Sequence, residues 1–165
     1  MNNYFITEIA SAHMGKPSLI KLIANLHEKS KSNFIKFQIF KTINLFSKNN
    51  KNFKRFKRLE ISFSKWEKLI NIYMKRNDLI LEPFDTESYN FCKKFKKYVS
   101  LKISSSESDN IKMINDALGN FKKVFVNISG LDRQKISTLI KYIKGNKKKL
   151  SLCTVFNLTQ QKKKT

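Results

Sequence analysis

Between Tyr98 and Asn110 the chain reads YVSLKISSSESDN, a stretch with three residue types that could do chemistry together. An alternating apolar run (Val99, Leu101, Ile103) carries Lys102 and then breaks into serines and Glu107. A strand that ends in Lys-x-x-Ser-x-Glu sets a cation, the Ser105 hydroxyl and the Glu107 carboxylate at its C-terminal mouth. The cation and hydroxyl suit an anion, and the carboxylate suits proton or hydroxyl work. The plainer reading of the same residues is a solvated strand end followed by a helix N-cap at Ser106 or Ser108. Comparable polar sets end other apolar runs: Glu8, Lys36 with Gln38, and Glu82 with Asp85.

Strands must bring those ends together. Short β-rich runs are expected at Tyr4–Ala10, Phe34–Phe40, Leu79–Phe84, Val99–Ser104, Val124–Ile128 and Leu150–Val155. Helical patterns lie between them. Pro17–Lys29 sets Leu19, Ile20, Leu22, Ile23 and Leu26 on one face, with Pro17 suited to a first turn. Ser64–Arg76 opens with a capping box, Ser64-x-x-Glu67, and buries Trp66, Leu69, Ile70 and Tyr73. Thr86–Lys97, Asp109–Leu118 and Asp132–Ile143 follow, with Gly119 and Gly145 as C-caps.

Strand and helix alternate without hairpin signals, which predicts parallel strands joined by right-handed crossovers. No G-x-G-x-x-G follows the first strand, which argues against a dinucleotide site. Polar residues in or just after the strands favour a (β/α) barrel, where such positions converge on one face. The expected fold class is therefore α/β, an incomplete TIM barrel of about six parallel strands with outer helices. A complete one needs roughly 200 to 250 residues, and this chain has 165.

With 41% apolar residues the composition is that of a folded domain. No apolar run approaches the ~20 residues needed to cross a bilayer, and MNNYFITEIA lacks the features of a signal peptide. Cys92 and Cys153 have neither metal-ligand nor redox spacing, which points to buried thiols in a reducing cytoplasm. A net charge of +22 suggests nucleic acid. Yet only Arg55, Arg58, Arg76 and Arg133 are arginine, and lysines are spread over every segment. Abundant Asn, Ile, Lys and Phe mark an A+T-rich coding bias. The charge then implies nonspecific polyanion affinity and argues against specific nucleic-acid recognition.

Taken in order, FITEIASAHMGKPSLIKLI, FIKFQIFKTINLFSK, LEISFSKWEKLI, LEPFDTESYNF, LKISSSESDN and LSLCT resemble the sialic acid synthases. These comprise N-acetylneuraminate synthase and its legionaminic and pseudaminic acid relatives. The resemblance covers residue 4 to about residue 155. It implies a TIM barrel followed by an antifreeze-like domain, and a domain-swapped dimer. The implied reaction joins phosphoenolpyruvate to an N-acetylated sugar. A divalent metal, manganese or magnesium, activates the sugar aldehyde in the complete enzyme. By resemblance Glu8 acts near the enolpyruvate, and Lys36 and Gln38 contact substrates. Lys102 and Ser105 hold the phosphoenolpyruvate carboxylate and phosphate, and Glu107 meets the sugar. His13 stands in the family's histidine-glycine turn, where a structural role fits as well as a chemical one.

The chain also departs from the pattern. Glu82 replaces a usual threonine and adds negative charge where an anion is to bind. Ile128 replaces a serine, and Leu152 a histidine. The metal-binding histidines of the family fall after residue 165, so no cofactor is expected in this chain. His27 is expected on an outer helix, away from the mouth. Residues 1–158 are read as a partial barrel domain and 159–165 as a basic tail. A fragment inactive alone, or one completed by a separately encoded C-terminal half, are the resulting expectations.

Overall fold

The computed structural model describes residues 4–76, 78–143 and 150–153. Six strands form one sheet in the order β1-β2-β3-β4-β5-β6. They are β1 (Ile6–Glu8), β2 (Phe34–Ile39), β3 (Leu79–Pro83), β4 (Ser100–Ile103), β5 (Val124–Asn127) and β6 (Leu150–Cys153). Every neighbouring pair is parallel. The strands curve into a half-barrel with helices against it, the architecture expected from the alternating pattern.

Alternate residues of each strand go to different places. Ile35, Phe37, Ile39, Leu79, Leu81, Leu101, Ile103, Val124 and Val126 share one apolar cluster with helix residues such as Ile20, Trp66, Phe91, Ile114 and Leu139. The opposite parity lines the concave side: Glu8, Lys36, Gln38, Glu82, Lys102 and Asn127. Below that polar layer Phe34 meets Tyr4 at 5.5 Å and Phe125 at 5.4 Å, both edge to face.

The helices are α1 (Pro17–Glu28), α2 (Thr42–Leu45), α3 (Phe53–Leu59), α4 (Phe63–Tyr73), α5 (Thr86–Lys93), α6 (Ile111–Asn120) and α7 (Arg133–Tyr142). Several differ from the sequence reading for local reasons. In α1 the buried residues are Ile20, Ala24 and His27, whereas Leu22 and Leu26 are exposed. His27 fixes that face: its Nδ1 lies 2.9 Å from the Thr7 hydroxyl and its Nε2 3.0 Å from Asp78 Oδ2. Helix α4 begins at Phe63, with Ser62 at the N-cap, so the Ser64–Glu67 capping box does not form. Phe63 stacks on Phe91 at 4.4 Å and lies under the Lys41 ammonium, which draws the first turn forward. The four residues expected to be buried on α4 are buried.

Gly119 lies inside α6, not at its cap; the helix runs on through Asn120, whose side-chain amide donates to the Asp116 carbonyl at 2.7 Å. Asn110 caps α6 by accepting from the Met113 N–H at 3.1 Å, in place of Ser106 or Ser108. The expected cap at Gly145 and the tail 159–165 lie outside the described residues. Helices α2 and α3 have no counterpart in the sequence reading. No residue of α3 is fully buried, so its apolar stripe is faint.

The turn between β1 and α1 is pressed against α3. Gly15 has φ +74°, and a Cβ there would lie 2.0 Å from the Arg58 carbonyl oxygen. Gly15→Ala is expected to destabilise the chain by about 1–3 kcal/mol, from backbone strain plus the clash. The check is a lower urea midpoint at an unchanged m-value. An unchanged midpoint would mean that the turn swings freely away from α3.

Candidate active site at the ends of the strands

Strand register brings four charged side chains to two successive inward-facing levels. Glu8 pairs with Lys36 across β1 and β2, and Gln38 pairs with Glu82 across β2 and β3. Lys102 follows the Leu81–Leu101 pair by one residue on β4. All these side chains share the concave parity, so they meet.

Glu82 is the hub. Its Oε2 accepts from Lys36 Nζ at 2.6 Å, and its Oε1 accepts from Lys102 Nζ at 2.5 Å. Lys36 also reaches Glu8 Oε1 at 2.7 Å. The Gln38 amide donates to Glu8 Oε1 at 2.9 Å and to Glu82 Oε2 at 3.1 Å. Lys36 and Glu82 are each 2% exposed and Lys102 is 8% exposed, whereas the Glu8 side chain is nearly half exposed. Two ammonium groups face two carboxylates, so the cluster is neutral.

Burial by itself would push the Glu82 carboxyl up. The charges of Lys36 and Lys102 and their hydrogen bonds outweigh it and hold Glu82 below the usual carboxylate range. The same balance works in reverse on Lys36. Burial pulls its ammonium down, but Glu82 and the hydrogen bonds around it set the result, a pKa above the usual lysine range. Cys153 on β6 completes the inner wall, and burial above all pushes its thiol up.

The remaining expected residues sit at the same end of the strands but outside this cluster. A single 3-10 turn, Ser105–Glu107, follows β4. Ser105 is exposed, and its carbonyl accepts from the Ser108 hydroxyl at 2.7 Å. Glu107 accepts from the Asn110 side chain at 3.0 Å and lines a groove of about 440 Å³ with Asp85, Tyr89, Met113 and Asp116. Neither shares a hydrogen bond or ion pair with the lysine cluster.

Asp85 has structural work. It caps α5 by accepting from the Ser88 N–H at 2.9 Å and ties the β2–α2 loop by accepting from the Lys41 N–H at 2.9 Å. Burial raises its carboxyl, and these hydrogen bonds more than reverse that. His13 is 2% exposed and accepts from the Gly15 N–H at 2.9 Å. Its ring meets Trp66 at 6.1 Å, and burial lowers its pKa. Asn127 on β5 accepts from the Ser129 hydroxyl at 2.7 Å.

The chain that carries this cluster has relatives in sequence and fold. The sequence profile of the NeuB family matches residues 22–157. The chain belongs to the NeuB family. Its fold is that of solved family-like structures. An N-acetylneuraminic acid (sialic acid) synthetase from Leptospira borgpetersenii serovar Hardjo-bovis, in complex with citrate, superposes with TM-score 0.80 at 24% identity. The match covers 98% of this chain and 59% of that one.

A putative spore coat polysaccharide biosynthesis protein E from Chromobacterium violaceum gives TM-score 0.72 at 23% identity, over 91% of this chain and 48% of that one. The spore coat polysaccharide biosynthesis protein spsE of Bacillus subtilis gives 0.71 at 14%, over 92% and 43%. The chain thus spans less than two thirds of these relatives. No curated protein matches it significantly. Among the described residues no helix is long and apolar enough to cross a membrane.

The sequence reading missed the part Glu82 plays, treating it as added negative charge. The signal was present: a glutamate on the third strand, with lysines of the same parity on the second and fourth.

Proposed function

We propose that this chain carries the anion-handling part of a synthase reaction that joins phosphoenolpyruvate to an N-acetylated sugar, giving a nonulosonic acid. We further propose that Glu82 holds that part closed. The observation that carries the reading is the convergence of Lys36, Lys102 and Gln38 at the strand ends, two buried cations and a half-buried amide donor around one carboxylate. Membership of the NeuB family supports the reaction class.

In this reading the Lys36 and Lys102 ammonium groups receive the carboxylate and phosphate of phosphoenolpyruvate, and Gln38 donates a further hydrogen bond. Glu8 stands at the open side of the cluster, placed for proton work near the enol carbon. Ser105 and Glu107, one step outward on the turn after β4, would meet the phosphate edge and the sugar.

The divalent metal of the family would supply polarisation of the sugar aldehyde. The described residues do not fit it. Among them no group of three or more His, Cys, Asp or Glu stands ready to hold a metal ion. Glu8 and Glu82 are engaged by lysines, and both imidazoles are committed elsewhere. No described side chain is therefore assigned to the metal.

Glu82 occupies the positions that an anionic substrate would take between the two ammonium groups. A ligand must displace it from hydrogen bonds worth about 1.5–3 kcal/mol each. Phosphoenolpyruvate is therefore expected to bind with a Kd in the millimolar range, on the order of −4 kcal/mol. Calorimetric titration tests this. Lys102→Ala should abolish the binding, while Lys148→Ala should leave it unchanged. Equal weakening by both substitutions would reduce the cluster to diffuse charge and overturn the reading.

A further inference from the structure

The strands are parallel, so the connections that enter them share one end of the sheet, opposite the end where the lysine–glutamate cluster stands. Charge divides between the two ends. Within the five residues before each of β2, β3, β4 and β5 stand two cations, one of each pair being Lys31, Lys75, Lys97 and Lys122, all exposed. The same windows hold one acid, Asp78, which lies 3.0 Å from His27 Nε2. The five residues after each of these strands hold the reverse, one cation, Lys41, against Asp85, Glu87, Glu107 and Asp132. Eight cations less one acid give the entry windows +7, and one cation less four acids gives the exit windows −3.

The exposed aromatic residues gather at the same entry end. Among the described residues they are Tyr4 and Phe5 ahead of β1, Tyr98 ahead of β4 and Tyr142 at the close of α7. Phe5 is 69% exposed. A lysine in the last turn of a helix offsets the helix dipole, which accounts for one cation per connection. It accounts neither for the second nor for the rings. Along the sequence the lysines look evenly spread because each connection contributes its own pair. Parallel strand order sets those pairs on one face.

Chemistry narrows the partner. Nucleic acid is held by guanidinium forks and by bases stacked on open rings. The one arginine of the entry windows, Arg76, is paired with Glu28, and Lys123 covers a face of the Tyr4 ring at 3.6 Å. Lysine point charges beside tyrosine and phenylalanine rings are instead the composition of a membrane interface. There the ammonium groups meet lipid phosphates and the rings sit at headgroup level.

We infer that this strand-entry face rests on the surface of an anionic phospholipid bilayer. Lys31, Lys75, Lys97 and Lys122 meet the headgroup phosphates, and Phe5, Tyr98 and Tyr142 enter the interface. The opposite end of the sheet, with its lysine–glutamate cluster, then faces solution. The inference is independent of the phosphoenolpyruvate reading, because it rests on the helix-to-strand connections and not on that cluster.

Co-sedimentation of the 165-residue chain with vesicles tests it. The vesicles are phosphatidylcholine alone, or phosphatidylcholine with about one-third phosphatidylglycerol. Lys97→Gln/Lys122→Gln is compared with Lys54→Gln/Arg55→Gln, which removes two charges from exposed positions of α3 at the other end of the sheet. Phe5→Ser probes the rings without changing charge. A single-stranded oligonucleotide is titrated into the same proteins. Circular dichroism establishes that each is folded, and Lys97→Gln alone serves if the double variant is not.

The chain should bind the phosphatidylglycerol vesicles and not those of phosphatidylcholine alone. The entry-face variant should bind at least about tenfold more weakly, the scale of two charges near an anionic surface, and the α3 variant less than about twofold. Phe5→Ser should lose about threefold or more. Oligonucleotide affinity follows total charge and should fall alike in both charge variants. The inference is overturned by no vesicle binding, by equal binding to both kinds of vesicle, or by equal loss in the two charge variants. It is overturned too if oligonucleotide affinity falls selectively with Lys97→Gln/Lys122→Gln and Phe5→Ser, which would assign the face to nucleic acid.

Discussion

Replacing Glu82 by glutamine is expected to lower stability by about 3–5 kcal/mol near neutral pH, the scale for breaking a buried ion pair. Glutamine keeps the volume but brings an amide between two ammonium groups that both need an acceptor. Lys36 retains Glu8 at 2.7 Å, whereas Lys102 has no other ion-pair partner among the described residues. Added sulfate or phosphate should recover much of the loss, since an external anion can take the vacated position. Urea unfolding with and without sulfate measures both effects. A variant as stable as wild type would mean that the cluster opens to water at little cost.

The pH dependence follows from the same groups. The Glu82 pKa is depressed in the folded chain. Its contribution is therefore complete above the unfolded value of about 4.3 and is lost as pH falls through the lower folded value. The Lys36 pKa is raised, so its contribution is complete below about 10.4 and is lost as pH climbs past the folded value. Wild type should accordingly show a plateau between these limits, and Glu82→Gln should lack much of the acid-side fall.

Trp66→Ala should cost about 3–5 kcal/mol through the cavity it leaves. Trp66 is 2% exposed, lies 5.5 Å from the Phe37 ring on β2 and meets the His13 ring at 6.1 Å. It therefore joins α4, the second strand and the turn that carries Gly15. A domain of this kind is stable by about 5–15 kcal/mol, so one such loss removes a large share. Denaturant unfolding with a lowered midpoint is the expected result. A loss below about 1 kcal/mol would mean that neighbouring side chains collapse into the space.

Strands β2 to β5 are legible in the sequence because parallel strands buried on both sides read as short apolar runs, and the less buried β1 and β6 keep enough apolar residues to follow the same pattern. Their polar ends are legible too, since Glu8, Lys36 and Lys102 interrupt those runs at the parity that turns inward. Helix α3 is not, because Phe53, Phe56 and Leu59 are only half-buried and the residues between them are charged. The face of α1 is misread because a histidine, not Leu22 or Leu26, is drawn in by two polar partners.

Glu107 looks like a neighbour of Lys102 along the chain. A single 3-10 turn carries it instead to the groove between α5 and α6. Glu82 looks like a misplaced charge until the sheet order sets it between two lysines. Pairing across strands is what a linear reading sees least.

The most direct measurement is the affinity of phosphoenolpyruvate for Glu82→Gln beside that for wild type, by calorimetry near neutral pH. Removing the carboxylate changes the cluster from neutral to singly positive and vacates the place between Lys36 and Lys102. Binding should tighten by about tenfold or more, the equivalent of one charge-assisted hydrogen bond, and the gain should vanish in Glu82→Gln/Lys102→Ala. Unchanged or weaker binding by a folded Glu82→Gln would contradict the account, because the carboxylate would then not be what keeps the anion out.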